Sequence, residues 1–144
     1  MKPHYYRGGV FEAEMSDLIG RVFTEVVGEK GDDVFQLKCA EGVFTFFHQQ
    51  SCCESVEIED ITGDLSDLIG HPILLAEEST NCDDHPEGVE MGCDPDSFTW
   101  TFYKLATIKG YVDIRWLGRS NGCYSERVDL EFKANARNTQ GSDE

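Results

Sequence analysis

The chain is expected to be mainly β: a single-domain antiparallel β-sandwich or open barrel of about eight strands with one or two short helical turns. Apolar and polar residues alternate with a period of two through much of its length, and short turn clusters punctuate the alternation. A length of 144 residues, 40% hydrophobic, suits one core and needs no second domain. The domain is expected to span residues 16–133, after an N-terminal segment 1–15 and before a tail 134–144 with too little apolar surface to order itself.

The first signal is the pentapeptide SDLIG, at Ser16–Gly20 and again at Ser66–Gly70. In each copy Ser and Asp can cap one helical turn, Leu-Ile can anchor it, and Gly can permit reversal into a strand. A shared way of starting a strand is the favoured reading, ahead of a duplicated domain. Val22–Val27, Val34–Cys39 and Val43–His48 follow as short β-favouring runs, separated by turns at Glu29–Asp33 and Glu41-Gly42, and read as a meander. Ser55–Asp60 sets Val56 and Ile58 against Glu57 and Glu59, and Ile73–Ala76 follows Pro72 as another strand. Phe98, Trp100 and Phe102 alternate with Thr99, Thr101 and Tyr103. Val112, Ile114 and Trp116 alternate with Asp113 and Arg115. Val128, Leu130 and Phe132 form the last inward row, and Asn121-Gly122 supplies a hairpin turn before it, so three long antiparallel strands should close the sheet.

Charge is unevenly spread. Between Cys39 and Tyr103, 65 residues carry fifteen acids and no lysine or arginine, which is nearly all of the net charge of −16. Such a field repels nucleic acid and anionic membrane and attracts basic surfaces or hard cations. No run of about 18 apolar residues could span a bilayer, and Met1–Val10 lacks the apolar core of a secretory signal, so the expected location is the cytoplasm. The acidic face is expected to comprise Glu54, Glu57, Glu59, Asp60, Asp64, Asp83, Asp84, Glu87 and Glu90.

The six cysteines, at 39, 52, 53, 82, 93 and 123, are expected to be thiols or metal ligands rather than a disulfide framework. Cys39 reads as a buried free thiol. Cys82, His85 and Cys93 have a spacing that could hold Zn²⁺, with Asp83, Asp84, Asp94, His71 or Cys123 as candidate fourth ligand. Asp83, Glu87, Gly88 and Asp94 match part of a calcium loop, but His85 and Pro86 interrupt it and the flanks read as strand. A solvated acidic loop is the plain alternative. His48 with Cys52 or Cys53 could form a nucleophile and base, although Glu54, Glu57 and Glu59 would suppress the thiolate. No phosphate loop, Ser/His/Asp arrangement or dinucleotide fingerprint is present, and no catalytic residue is expected.

Three strings, SCCESVEIEDITGDLSDLIG at 51–70, SFTWTFYKLATIKGYVDIRWLGRSNG at 97–122 and YSERVDLEF at 124–132, resemble a family of small uncharacterised proteins encoded mainly by bacteriophages and prophages. The resemblance covers residues 16–133 and carries no catalytic residues with it. The loop CDDHPEGVEMGC is longer than in that family, and Cys123 stands where tyrosine is expected, which would join Cys82, His85, Cys93 and Cys123 in one added site. A phage origin implies an inhibitor of a host nucleic-acid-binding defence effector, a CRISPR effector or similar, acting on that effector's basic surface in the manner of anti-CRISPR proteins and nucleic-acid mimics. A zinc-stabilised accessory module is the second expectation and a cysteine-dependent enzyme the third.

Overall fold

In the computed structural model, which describes residues 4–7, 10–50, 53–82, 97–120 and 126–135, ten strands form two antiparallel sheets. The strands are β1 (His4–Arg7), β2 (Val10–Glu12), β3 (Phe23–Val27), β4 (Val34–Cys39), β5 (Gly42–Phe47), β6 (Ser55–Thr62), β7 (Leu75–Cys82), β8 (Ser97–Thr107), β9 (Gly110–Ser120) and β10 (Asp129–Ala134). Two 3₁₀ turns, Met15–Leu18 and Leu65–Leu68, are the only helical elements among the described residues. The sheets have strand orders β1-β2-β10-β5-β4-β3 and β6-β9-β8-β7, and neither closes into a barrel. No helix among the described residues is long and apolar enough to cross a membrane.

Burial alternates along the strands with the period of two that the sequence shows. Phe35, Leu37 and Cys39 of β4 and Phe44 and Phe46 of β5 face the core while their neighbours stay half-exposed. Cys39 is free and buried, and burial is the main reason its thiol pKa is raised. From the second sheet come Val56, Ile58, Leu105, Val112, Ile114 and Trp116. Phe46 and Tyr103 meet across the two layers with ring centroids 4.7 Å apart. In β8 the row turned inward is Thr101, Tyr103 and Leu105, which leaves Trp100 half-buried and Phe102 38% exposed on the outer face.

The SDLIG copies occupy equivalent places. Each lies in a 3₁₀ turn that buries its leucine, Leu18 or Leu68, completely, and each ends in a left-handed glycine, Gly20 at φ 85° and Gly70 at φ 84°. The two copies then clasp one another. The Gly20 N–H donates to the Ile73 carbonyl at 2.8 Å, and the Gly70 N–H donates to the Phe23 carbonyl, also at 2.8 Å. These bonds exchange under the fifty-residue offset between the copies. Topology follows the same rule: a strand, a 3₁₀ turn and a three-stranded meander occur first as β2 to β5 and again as β6 to β9. In the second unit β6 pairs with β9. In the first, β10 inserts between β2 and β5. The repeat therefore extends beyond a local way of starting a strand to the topology of both sheets.

Four expectations need correction. Ser16 and Ser66 do not cap the turns; Glu14 and Asp64, again fifty residues apart, hold the N-cap positions, with the Asp64 carboxylate accepting from the Ser66 N–H at 3.0 Å. The strand expected at Ile73–Ala76 begins at Leu75, because Ile73 is fully buried in the clasp, and it runs on to Cys82. The expected hairpin from β9 to β10 does not form. Both edges of β9 are already bonded, to β6 and β8, and the chain crosses instead to the other sheet; Asn121 and Gly122 themselves lie outside the described residues. Finally, Ser55–Asp60 extends to Thr62 with a register shift between Ile58 and Asp60 that breaks the strict alternation.

A Cβ added at Gly20 or Gly70 would meet nothing within 4 Å, so alanine there is opposed by backbone conformation alone. Gly20→Ala and Gly70→Ala should each cost about 1 kcal/mol, by closely matching amounts. Leu18→Ala and Leu68→Ala should each cost about 2–5 kcal/mol because they leave cavities in the core. Urea denaturation of the four variants checks the equivalence; strongly unequal losses within either pair would contradict it.

Candidate functional site

Folding redistributes the acidic stretch. Antiparallel pairing lays residues 110–120 beside 55–62, so bases distant in sequence become neighbours of the acids. Arg115 Nε and Nη2 donate to Glu59 at 2.8 and 2.5 Å, and Nη2 lies 3.8 Å from Asp60. The bulge after Ile58 is what lets two successive carboxylates share one guanidinium. Arg115 also stacks over Trp100, 5.3 Å from the ring centroid. Lys104 sits between Glu77 and Asp113 in the register of the same sheet. The acids from Cys39 to Tyr103 are therefore not unopposed.

The predicted acidic face separates accordingly. Glu57 is exposed on β6 and Asp64 caps a turn, its pKa lowered by the Ser66 hydroxyl and N–H. Glu54 does not belong to the face: its side chain is fully buried, with an oxygen 2.6 Å from His48 Nε2. Asp83, Asp84, Glu87 and Glu90 lie outside the described residues.

His48 is committed to structure. Its Nδ1 is 2.7 Å from the Arg127 carbonyl, which can only accept, so Nδ1 carries a proton and Nε2 shares another with Glu54. The Gln50 amide donates to the Glu54 carbonyl at 2.6 Å. Nearby, Glu126 is buried and accepts from the Thr99 and Ser120 hydroxyls at 2.6 and 2.5 Å. Both buried acids are thus satisfied, as burial of charge requires. Cys53 is disulfide-bonded, so neither half of the His48–Cys53 nucleophile pair is available, and the expectation of thiols rather than disulfides is corrected at this position.

The candidate metal ligands His85, Cys93 and Cys123 lie outside the described residues, as do Cys52 and Asp94. Cys82 ends β7 opposite Thr99, and His71 is half-buried in the bend before Pro72. Among the described residues no three His, Cys, Asp or Glu come together as a metal site.

The sequence did not point to the cleft where the two sheets meet beneath β7. It encloses about 440 Å³, and its polar lining is Glu12, Glu14, Glu78, Tyr103, Arg127 and Asp129 over a floor that includes Met15, Val128 and Leu130. β2 and the first 3₁₀ turn supply one wall, β7 and β8 the other, and residues 127–130 the back. Among the described residues the lining holds four carboxylates and one guanidinium, and that guanidinium is 3.4 Å from Asp129. Desolvation raises the pKa of Glu78, against the opposing pull of Arg127 and a hydrogen bond with Tyr103. Tyr103, almost wholly buried, has its phenol pKa pushed up by burial first and by Glu78 next. The nearest sequence signal for this site is the doublet Glu77-Glu78, just past the strand expected at Ile73–Ala76 and of a kind common in any acidic protein.

Two outcomes test this geometry. Removing one partner of the buried pair, in His48→Ala, should cost about 3–5 kcal/mol in urea denaturation, because an uncompensated buried carboxylate remains. A loss near zero would contradict the pairing. A carboxyl whose pKa is raised by folding penalises the native state above that pKa and ceases to do so as pH falls through it. Glu78→Gln should therefore raise thermal stability at pH 7, and the gain should shrink as pH falls through the raised pKa and vanish below the ordinary carboxylate range; a gain that persists in acid would contradict the desolvated charge.

No curated protein and no solved structure shows significant similarity to the chain. A family model described as a domain of unknown function, DUF7448, matches residues 16–130, from the first SDLIG turn to the start of β10. That match takes in both turn-and-meander units and most of the cleft, and the chain belongs to the DUF7448 family.

Proposed function

We propose that the domain is an acidic binding module that engages the basic surface of a nucleic-acid-binding protein and keeps nucleic acid from it. The observation that carries this reading is the cleft at the sheet seam, where acids remain in excess after folding has supplied bases to β6. Carboxylates beside an apolar floor, one of them, Glu78, raised in pKa by desolvation, suit a lysine or arginine, whose stem is apolar and whose head is charged. The overall charge of −16 adds long-range steering toward a positive partner.

With the resemblance to phage-encoded proteins, the partner class is a host defence effector, a CRISPR nuclease or similar, and the effect is inhibition without catalysis. Its place of action is then the host cytoplasm. The Cys53 disulfide pulls the other way, because cytosolic glutathione keeps thiols reduced.

The test is competition: purified guided nucleases bound to fluorescent DNA are titrated with the full-length protein. Displacement should weaken by about tenfold between low and physiological salt, since exposed charges are screened over roughly 8–10 Å. Glu78→Lys with Asp129→Lys, both lining the cleft, should weaken it further. Displacement from none of the nucleases, or displacement indifferent to salt and to charge reversal, would contradict the reading.

A further inference from the structure

β7 is the outer strand of the four-stranded sheet, and among the described residues it pairs in register only with β8. The first 3₁₀ turn packs against it on the cleft side, and the outward backbone groups of β7 clear of that turn are a template for one more strand. Successive side chains of a strand point to opposite faces, and here each face has its own cavity. On the inner face Glu78, opposite Tyr103, opens onto the 440 Å³ cleft. A second cavity of about 420 Å³ is lined by Glu77 and Ser79 of the outer face with Phe102, Lys104 and Asp113, and Glu78 borders it too. An added strand would drop alternate side chains into the two cavities. Recognition by strand addition has this form: main-chain bonds supply affinity and alternating pockets supply specificity.

Charge selects the occupant. A second copy pairing through β7 would bring Glu77 and Glu78 against their own equivalents, and like charges at that spacing repel. A segment bearing Lys or Arg would meet the carboxylates of the cleft, and Thr between the cations, with a methyl and a hydroxyl, suits an outer cavity where Phe102 lies among polar side chains.

We infer that β7 is a docking edge for an extended basic segment of a partner protein, which adds as a fifth strand and inserts a lysine or arginine beside Glu78 and Asp129. The inference rests on the acidic-module reading and specifies its contact. Residues 75–80 supply the strand, and the inner cleft sets the preference for cations.

The experiment uses the full chain and a fluorescein-labelled dodecapeptide of alternating Lys and Thr. A second peptide of the same charge carries N-methyl groups on alternate backbone amides, prepared in both registers. Binding is followed by anisotropy, and amide hydrogen exchange locates the contact. Expected are protection confined to residues 75–80, a loss of about tenfold or more with one methylation register, and a similar loss with Glu77→Lys/Glu78→Lys. Equal binding of the parent and both methylated peptides would overturn strand addition. So would protection located elsewhere, and in that case the acidic-module reading survives. Concentration-dependent protection of residues 75–80 without peptide would assign the edge to a second copy. Failure of every basic peptide to bind would sink the docking edge; displacement of DNA in the nuclease assay would then still uphold the module.

Discussion

Everything else in the molecule depends on the clasp between the two SDLIG turns. A 3₁₀ turn cannot bury its leucine alone, and a left-handed glycine must send its N–H somewhere. Each turn solves both problems with the other copy: Leu18 and Leu68 enter the core, while Gly20 and Gly70 donate to Ile73 and Phe23. The exchange joins the sheets at their starting points, before any meander strand is laid down. Ile73 is spent there as a buried anchor, which delays β7 to Leu75 and leaves that strand along the rim. The cleft exists because β7 and β2 leave this joint on opposite layers.

Charge placement follows from the same topology. The acids of β6 are adjacent to bases of β9 because the second meander folds its last strand back onto β6. A bulge concentrates the exchange at Arg115. β7 has no such partner on its outer side within its sheet, and carboxylates of β2, β7 and residue 129 line one cleft with Arg127. The local surplus of negative charge is thus a property of strand order rather than of the acidic stretch between Cys39 and Tyr103.

Much of the fold was legible because period-two patterning reports a half-buried strand directly. β9 and β10 carry it clearly, with Val112, Ile114, Trp116, Val128 and Phe132 buried as expected, while β4 and β5 were legible as β-favouring runs separated by a turn. Strand partners were not legible: Asn121-Gly122 is a sound local hairpin signal, yet β9 has no free edge for β10. In β8 both rows are bulky, so composition could not say that Tyr103 rather than Phe102 faces inward. Glu54 looked like surface because nothing in its local sequence reveals that His48 reaches it inside the protein. The fifty-residue repeat was visible as a string, but its meaning required the exchanged hydrogen bonds.

The central claim is that folding gathers the unbalanced negative charge at the seam beneath β7 and not along β6. Paramagnetic relaxation of backbone amides by cationic and anionic nitroxide probes, measured on the full chain at low salt, reports local potential directly. The expected result is the largest excess of cationic over anionic relaxation at residues 12–16, 77–80 and 127–130, with little at residues 57–60. An excess centred on residues 57–60, or one spread evenly over the surface, would contradict the claim.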